Sequence, residues 1–297
     1  MTHDIRLAVA SDYPAICAYL DAHWRKGHIF TTHKALFDWQ HLQRDGKTYN
    51  FVLGCAPDGA IDGVLGFIPH GQFDPALGFD SIWLCIWSVC EAARGYGLGR
   101  RLLDFIEETF KPTFLATNGA SEMSLPLYQA RGWETGKLEH WYMVPRNLGR
   151  TQVTDPGNSI PGKSDAYVES RYSRHPWYQY MVAGRTAMRL CRGASDTDVL
   201  RIVECGSLES LANMRWQSVS DDTRKVFIDF YCAGFDSDGL EAIGFTRRIA
   251  DEVIIPNHFE PYEHRNIDIN YAVKAPKGMP WRIVKADGDQ DRPNVLP

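Results

Sequence analysis

The spacing of apolar residues in the first forty positions predicts one strand followed by two helices. Residues 5–8 read as a short strand. After it, apolar residues recur every three or four positions, which is typical of an amphipathic helix: Ile16, Tyr19, Leu20 and Trp24. Residues 35–42 carry a second, shorter stripe of the same kind. We therefore expect two helices to pack side by side after the first strand.

Strand patterns dominate the following hundred residues. NFVLGCAPDGAIDGVLGFIPHG has two apolar runs around a Pro-Asp-Gly turn, which predicts a hairpin. The continuous apolar run DSIWLCIWSVC predicts a fully buried strand. A helix, a strand, a helix and a strand then follow in RRLLDFIEETF, TFLATNG, SEMSLPLYQARGW and EHWYMVP. This order predicts an α/β (α+β) fold, with a mixed, mostly antiparallel central sheet flanked by helices.

A polar stretch rich in Gly, Pro, Ser and Thr divides the chain. We predict a first domain at residues 1–146, a linker at 147–165 and a second, smaller α/β domain at 166–297. The second part again alternates strand, helix, strand and helix, from VLRIVECG onward. This alternation favours a diverged copy of the first fold, with coincidence as the alternative. The polar tail from residue 285 is expected to be loose and solvated, because a calcium loop would need a glycine where Arg292 stands.

Composition excludes several classes of protein. A net charge of −5 over 297 residues argues against a general nucleic-acid binder. No apolar run reaches the roughly 18 residues of a membrane span, and the N-terminus lacks the pattern of a signal peptide. The seven cysteines are scattered, without C-x-x-C pairs. We therefore expect reduced thiols, no metal site and a cytoplasmic location.

A glycine-rich turn lies between the apolar strand and the next helix. Gly95, Gly97 and Gly99 leave the backbone bare, and Arg100 and Arg101 follow at once. Amide N–H groups at a helix N-terminus, approached without hindrance from side chains, bind phosphate or pyrophosphate. The spacing matches neither the nucleotide-binding P-loop nor the dinucleotide-binding glycine motif.

This turn reads R-x-x-G-x-G, from Arg94 to Gly99, and resembles the GNAT superfamily of acyl-CoA-dependent N-acyltransferases. The resemblance covers about residues 4–145 and includes Tyr128 and the pair Gly132-Trp133, where the family commonly has Gly-Phe. It implies acetyl-CoA (coenzyme A) as the donor, held at its pyrophosphate by backbone amides, with the thioester carbonyl bound by N–H groups near Ser88 and Val89. The predicted coenzyme site comprises Ser88, Val89, Arg94, Gly95, Tyr96, Gly97, Leu98, Gly99, Arg100 and Asn118.

Acyl transfer to an amine also calls for an acid and, in some enzymes, a base. The resemblance nominates Tyr128 as the acid that protonates the leaving thiolate; the alternative is an ordinary core tyrosine. Candidates for the base are Glu91, His70 and Asp80, with His28 as a further histidine, and a chain of water molecules is the alternative to any side-chain base.

The acceptor is less well specified. We expect contacts from His28 and Trp39 in the first part and His175 in the second, since these regions combine rings and hydrogen-bonding groups. The phrases FDWQ, IIPNHFEP and GDQDRPN are similar to acyltransferase-like proteins associated with bacterial surface-polysaccharide clusters. That resemblance implies a small acceptor, a nucleotide-linked amino sugar, for polysaccharide biosynthesis.

Other acyl donors, an antibiotic, a peptide or an aminoacyl-tRNA as acceptor, and a non-catalytic acyl-CoA-binding module are the alternatives. The second part lacks R-x-x-G-x-G. It is therefore expected to bind no second coenzyme, and instead to close over the acceptor or form a homodimer.

Overall fold

The computed structural model describes residues 2–145, 152–155, 159–192, 197–214, 225–250, 252–255, 263 and 265–293. They group into two compact units that divide between Thr117 and Asn118, with Pro293 belonging to the first. This division falls earlier in the chain than the predicted boundary at residue 146, which stays a prediction. Parts of the predicted linker (147–151 and 156–158) and most of IIPNHFEP lie outside the described residues.

The first unit is a sheet with helices. Its strands are β1 (Asp4–Val9), β2 (Thr48–Cys55), β3 (Ile61–Pro69), β4 (Ser81–Val89) and β5 (Phe114–Asn118), the last of which ends at the division. Its helices are α1 (Tyr13–His23), α2 (Ile29–Thr32), α3 (Lys34–His41) and α4 (Leu98–Phe110). The strands lie in chain order, antiparallel up to β4, and β5 runs parallel to β4. The predicted mixed, mostly antiparallel sheet is confirmed.

Helix α4 lies against this sheet through an apolar stripe. Leu98, Leu102, Leu103 and Ile106 are buried and fall on one helical face. Two strand glycines permit the close approach: a Cβ atom at Gly54 would lie 2.6 Å from a methyl carbon of Leu98. Gly54 and Gly63 therefore determine where the N-terminus of α4 packs against β2 and β3.

Strand β4 bends near its middle. Leu65 pairs with Trp87 and Phe67 with Leu84, so Gly66 faces two residues of β4 instead of one. Such a bulge bends the strand that carries the extra residue. The pairing between β4 and β5 ends at Leu84, opposite Thr117, while β4 continues to Val89. The last five residues of β4 therefore leave the parallel pairing.

The second unit contains a seven-stranded sheet and a strand pair. Its strands are β6 (Glu134–Lys137), β7 (Glu139–Met143), β8 (Met181–Ala183), β9 (Thr186–Arg192), β10 (Thr197–Glu204), β11 (Lys225–Ala233), β12 (Thr246–Arg247), β13 (Asn270–Lys274) and β14 (Ile283–Val284). Its helices are α5 (Leu125–Gln129), α6 (Asp165–Val168), α7 (Leu208–Ala212) and α8 (Ser237–Ile243). Six strands of the sheet lie in the order β12-β7-β11-β10-β9-β8, the seventh, β14, pairs with β11, and β13 pairs with β6.

The strand pairing of this sheet repeats an order seen in the first unit. Strands β8, β9 and β10 are antiparallel neighbours, and β11 then runs parallel to β10. The same sequence of pairings joins β2, β3, β4 and β5. An apolar core of strand and helix residues covers one face, with Leu200, Phe230 and Leu240 among its fully buried members. The shared order supports a diverged internal copy, which we keep as a proposal.

The parallel pair of the second unit also separates, but here the chain itself occupies the gap. Pairing of β10 with β11 ends at Ile202, opposite Phe230. Two residues further along β11, Cys232 pairs with Glu139 of β7 and with Val284 of β14. Because one strand edge is taken by β7, β14 must pair along the edge that β10 has left. The segment Ile283–Val284 thus continues the sheet where β10 departs.

The tail that follows β14 is buried, and the expectation of a loose, solvated tail was wrong. Lys285, Asp287, Asp289, Asp291 and Arg292 are each less than a tenth exposed. Their charges are paired inside the unit rather than solvated; the Asp291 carboxylate, for example, accepts from the Arg189 guanidinium at 3.0 Å. The prediction was based on the polarity of the segment alone. A polar segment can be buried when each of its charges is paired with an opposite charge.

Candidate functional site

The predicted glycine turn forms the N-terminus of α4. A short 3₁₀ turn at Glu91–Ala93 leaves β4, and Gly95 and Gly97 then adopt φ angles of +83° and +76°. Other residues rarely adopt such angles, so the path of the turn depends on glycine. A Cβ atom at either position would meet no atom of the described residues within 4 Å. The bare backbone therefore faces open space, as an approaching phosphate requires.

The amide groups of this turn are available to a ligand. Arg101 N–H donates to the Gly97 carbonyl at 3.1 Å and is the first amide paired within the helix. For the amides from Gly95 to Arg100 we find no acceptor among the described residues. The side chains of Arg94 and Arg100 are exposed beside them. Unpaired N–H groups, the helix dipole and two cations together make a site for an anion.

The backbone of β4 just before the turn has a defined orientation. Cys90 N–H donates to the Asp62 carbonyl at 2.8 Å, so Cys90, and by alternation Ser88, point their backbone groups toward β3. The amide and carbonyl of Val89 therefore point to the opposite side. The Val89 carbonyl accepts from Arg94 Nε at 3.0 Å. The Val89 amide is thus directed to the side on which β4 has left β5.

Ser88 has a partner that sequence reasoning missed. The hydroxyl of Tyr19, on α1, donates to Ser88 Oγ at 3.1 Å, and both side chains are buried. Burial raises the pKa of Tyr19 to about 12, and the bond to Ser88 offsets only part of that rise, so the phenol stays protonated. The sequence placed Tyr19 on the buried face of a helix, and only the fold shows that its hydroxyl reaches the end of β4.

Two candidates for the base do not lie near the turn. His70 follows β3, and Asp80 precedes β4, so both sit where β4 begins, next to the Pro69–Ile82 pair. Val89 lies at the other end of the strand, roughly 26 Å away at the rise of an extended chain. His70 is also buried, and its Nε2 accepts from Trp83 Nε1 at 3.0 Å. The structure does not bring these two residues together with the turn.

The remaining candidates of the first unit are placed as follows. Glu91 is exposed and begins the 3₁₀ turn that leads to the glycines. His28 is buried and caps α2, where its Nδ1 accepts from Phe30 N–H at 3.2 Å. Trp39 packs at a tilt against Phe73, with the ring centres 5.0 Å apart. Of these three, Glu91 is the residue adjacent to the glycine turn.

Tyr128, Asn118 and His175 belong to the second unit. Tyr128 is buried in α5 and packs its ring against Trp133 at 4.8 Å. The side-chain amide of Asn118, predicted to bind coenzyme, instead donates to the carbonyls of Val284 and Asp287.

The Nδ1 of His175 accepts from the amides of Trp177 and Tyr178, and burial lowers its pKa to about 3. Within this unit, Asn118 and His175 hold backbone in place.

Comparison with known proteins gives a family match for part of the chain. The model of the acetyltransferase (GNAT) family matches residues 13–133. Residues 13–133 form a GNAT domain. The match contains the glycine turn, Tyr19, Ser88 and Tyr128, and the predicted resemblance is therefore confirmed. Among curated proteins, no match to the chain was found.

Two solved structures share the fold over most of the chain. A GCN5-related N-acetyltransferase from Anabaena variabilis is 10% identical, with 92% of this chain and 72% of that protein covered and a TM-score of 0.55. One from Kribbella flavida is 13% identical, with coverages of 92% and 72% and a TM-score of 0.53. The GNAT family N-acetyltransferase YhbS from Escherichia coli, in complex with CoA, is 22% identical, with coverages of 44% and 68% and a TM-score of 0.33.

Within the described ranges, we find no helix with the length and apolar character needed to span a bilayer.

Proposed function

We propose that the chain transfers an acyl group from acyl-CoA to the amine of a small acceptor. The observation that carries this proposal is the run of amides from Gly95 to Arg100, which have no acceptor among the described residues and follow a strand that has just left its parallel neighbour. The GNAT family match supports acyl-CoA as the donor. The open space at Gly95 and Gly97 fits a pyrophosphate, because no side chain of the described residues fills it.

The residues of the first unit have separate tasks in this reaction. The turn amides hold the pyrophosphate, and Arg94 and Arg100 balance its charge. Bound coenzyme supplies an activated thioester. The Val89 amide, directed away from β3, donates to the thioester carbonyl as negative charge develops there. Such a preorganised donor contributes about 3–4 kcal/mol to catalysis in well-studied acyl-transfer enzymes.

The hydroxyl pair of Ser88 and Tyr19 adds a second donor at the same end of β4. The Tyr19 hydroxyl donates to Ser88 Oγ. This bond polarises the Ser88 hydroxyl, which then becomes a stronger hydrogen-bond donor to the substrate. With a pKa of about 12, Tyr19 is too weak an acid to give up its proton to a thiolate. We therefore assign Tyr19 a positioning role and leave protonation of the thiolate to another group.

Tyr128 is our proposed acid, and the family resemblance is its support. For the base we retain Glu91, next to the turn, and a chain of water molecules as the alternative. The amine must lose a proton before or during attack; the C–N bond then forms as the C–S bond breaks, and the sulfur is protonated.

The acceptor we propose is a nucleotide-linked amino sugar, acetylated from acetyl-CoA in surface polysaccharide synthesis. Support comes from the short phrases described above and from the ring-rich helices that carry His28 and Trp39. An antibiotic, a peptide or an aminoacyl-tRNA would use the same donor site, so the acceptor has to be decided by experiment. A soluble, cytoplasmic enzyme with an acceptor-binding or dimer-forming second domain completes this proposal.

The test is release of free thiol from acetyl-CoA with a panel of amino-sugar nucleotides, amino-sugar antibiotics and peptides. Turnover with an amino-sugar nucleotide supports the proposal. Turnover only with another amine would overturn the proposed acceptor and identify that amine's class in its place. Tight CoA binding without thiol release from any amine would leave a non-catalytic binding module. Tyr128→Phe should lower turnover without weakening CoA binding; unchanged turnover would remove Tyr128 from the mechanism.

A further inference from the structure

The second unit contains a cavity outside the site described above. Its volume is about 510 Å³, within the range of about 300–1,000 Å³ typical of small-molecule sites. It lies where β10 ends and the chain turns through Cys205, Gly206 and Ser207 into α7. Pockets at the carboxyl end of a strand beside a parallel neighbour are common ligand sites. Neither the family match nor the glycine turn accounts for this cavity.

Charged side chains line the cavity and are held by internal contacts. Lys163 donates to both oxygens of Glu204, at 2.9 and 2.8 Å, and lies 2.7 Å from Asp287. Burial alone would lower the pKa of Lys163, but these two carboxylates raise it above its usual value, so the lysine stays charged. On another wall, Arg282 forms a bidentate pair with Asp155. Lys163 and Arg282 are therefore held in place before any ligand arrives.

Two carboxylates that line the cavity, those of Glu204 and Asp155, have little hydrogen-bonding capacity left. Glu204 accepts from Lys163, from the Tyr172 hydroxyl and from the Cys205 amide. Asp155 accepts from both terminal nitrogens of Arg282 and from the Leu208 amide. A carboxylate offers about four acceptor positions. The third lining carboxylate, Glu209, is exposed, where water and salt screen its charge.

The two lining arginines, in contrast, keep donors. A guanidinium carries five N–H groups. Arg282 uses one on each terminal nitrogen for Asp155, and Arg185 donates to the Lys163 carbonyl and lies 3.2 Å from Asp165. For their remaining N–H groups we find no acceptor within the described part of the chain. Among the charged side chains that line the cavity, the unused hydrogen-bonding capacity is therefore that of the two arginines.

We propose that this cavity binds a small organic anion, a carboxylate or a phosphate on an apolar body, through Arg185 and Arg282. The anionic group accepts from the spare guanidinium N–H groups, which match a planar or tetrahedral oxyanion better than a lysine does. The apolar body lies against Phe235, Val284 and Pro161. The face of Phe235 is already ordered by Arg282, whose guanidinium carbon lies 5.0 Å from the ring centre.

Gly206 supports the position of Arg185. A Cβ atom at residue 206 would lie 2.5 Å from Cβ of Arg185 and 3.2 Å from its carbonyl oxygen. Gly206→Ala would therefore displace Arg185 without changing the charge of the cavity. Arg247 offers a matched control: its side chain is 55% exposed, against 53% for Arg185, and it does not line the cavity.

The experiment is calorimetric titration of the full chain with benzoate and with phenyl phosphate, using neutral benzamide as a reference. Arg185→Gln should weaken binding about tenfold, because a charge-assisted hydrogen bond contributes on this order. Gly206→Ala should also weaken it, and Arg247→Gln should not. Gly97→Asp, which disables the coenzyme turn, should leave this binding unchanged and so separates the two anion sites.

Tighter binding of phenyl phosphate than of benzoate assigns a phosphate ligand, and the reverse assigns a carboxylate. The proposal is overturned if neither probe shows saturable binding, or if benzamide binds as tightly as benzoate. It is equally overturned if Gly97→Asp abolishes the binding while Arg185→Gln has no effect, since the anions would then occupy the coenzyme turn.

Discussion

Gly97 gives the sharpest test of the coenzyme site, through a pair of substitutions that differ in charge alone. Gly97→Asn and Gly97→Asp add side chains of nearly the same size at a position with φ of +76° and open space around the missing Cβ. Both residues tolerate this backbone region better than other non-glycine residues, at a shared cost of about 1 kcal/mol. Their difference in CoA affinity therefore measures the charge of whatever binds at the turn.

The magnitude follows from Coulomb's law. Two unit charges about 4 Å apart interact by about 1 kcal/mol in water and about 4 kcal/mol near a protein surface of lower dielectric constant. If a pyrophosphate occupies the turn, Gly97→Asp should bind CoA about fivefold to several hundredfold more weakly than Gly97→Asn. A carboxylate near a helix N-terminus is itself favourable to stability, so the Asp variant should melt no lower than the Asn variant.

The assay is calorimetric titration of both variants with CoA at two salt concentrations, alongside thermal melting. The difference in affinity should shrink at high salt, because exposed charges are screened there. Equal CoA affinity of the two variants at low salt, with both folded, would refute the reasoning. The pyrophosphate would then lie away from the amides of residues 95–100.

Three further outcomes are expected. Tyr19→Phe should lower kcat with little change in KM for acetyl-CoA and leave the pH profile unshifted, since Tyr19 stays protonated; wild-type kcat would contradict the positioning role. CoA should bind once per chain, because β14 completes the second sheet; a calorimetric stoichiometry of two would be incompatible with this. Burial alone would raise the pKa of Asp229, but Arg201 and His140 outweigh burial and lower it to about 2, below the ordinary 3.8. This stabilisation is present above the ordinary value and is lost as the pH falls toward 2. The melting temperature should therefore fall over that window, and Asp229→Asn should flatten the fall.

The parts of the site that could be predicted are those carried by local sequence. Gly95 and Gly97 have backbone angles that favour glycine, and the apolar stripe of α4 predicts the helix that follows. The strands and helices of the first unit follow from the same kind of short-range pattern. The family resemblance depended on these local features.

What could not be predicted depends on which end of a strand a residue occupies and on distant partners. His70 and Asp80 flank the loop between two antiparallel strands, so they lie at one end of β4 and the glycine turn at the other. Tyr19 donates a hydrogen bond to Ser88, which is 69 residues away in the chain. The buried tail depends on charge pairs such as that of Asp291 with Arg189, which no short-range pattern reveals.

The segment Ile283–Val284 makes the backbone pairing of the second sheet independent of any bound ligand. By pairing with Cys232 and Ala233, this segment supplies the edge of β11 with hydrogen-bond partners from the chain itself. Under the proposed function, the amides of the glycine turn in the first unit are instead paired by bound coenzyme. Coenzyme should accordingly protect the amides around Gly95–Arg100 from hydrogen exchange and leave those of the second sheet as slow as before.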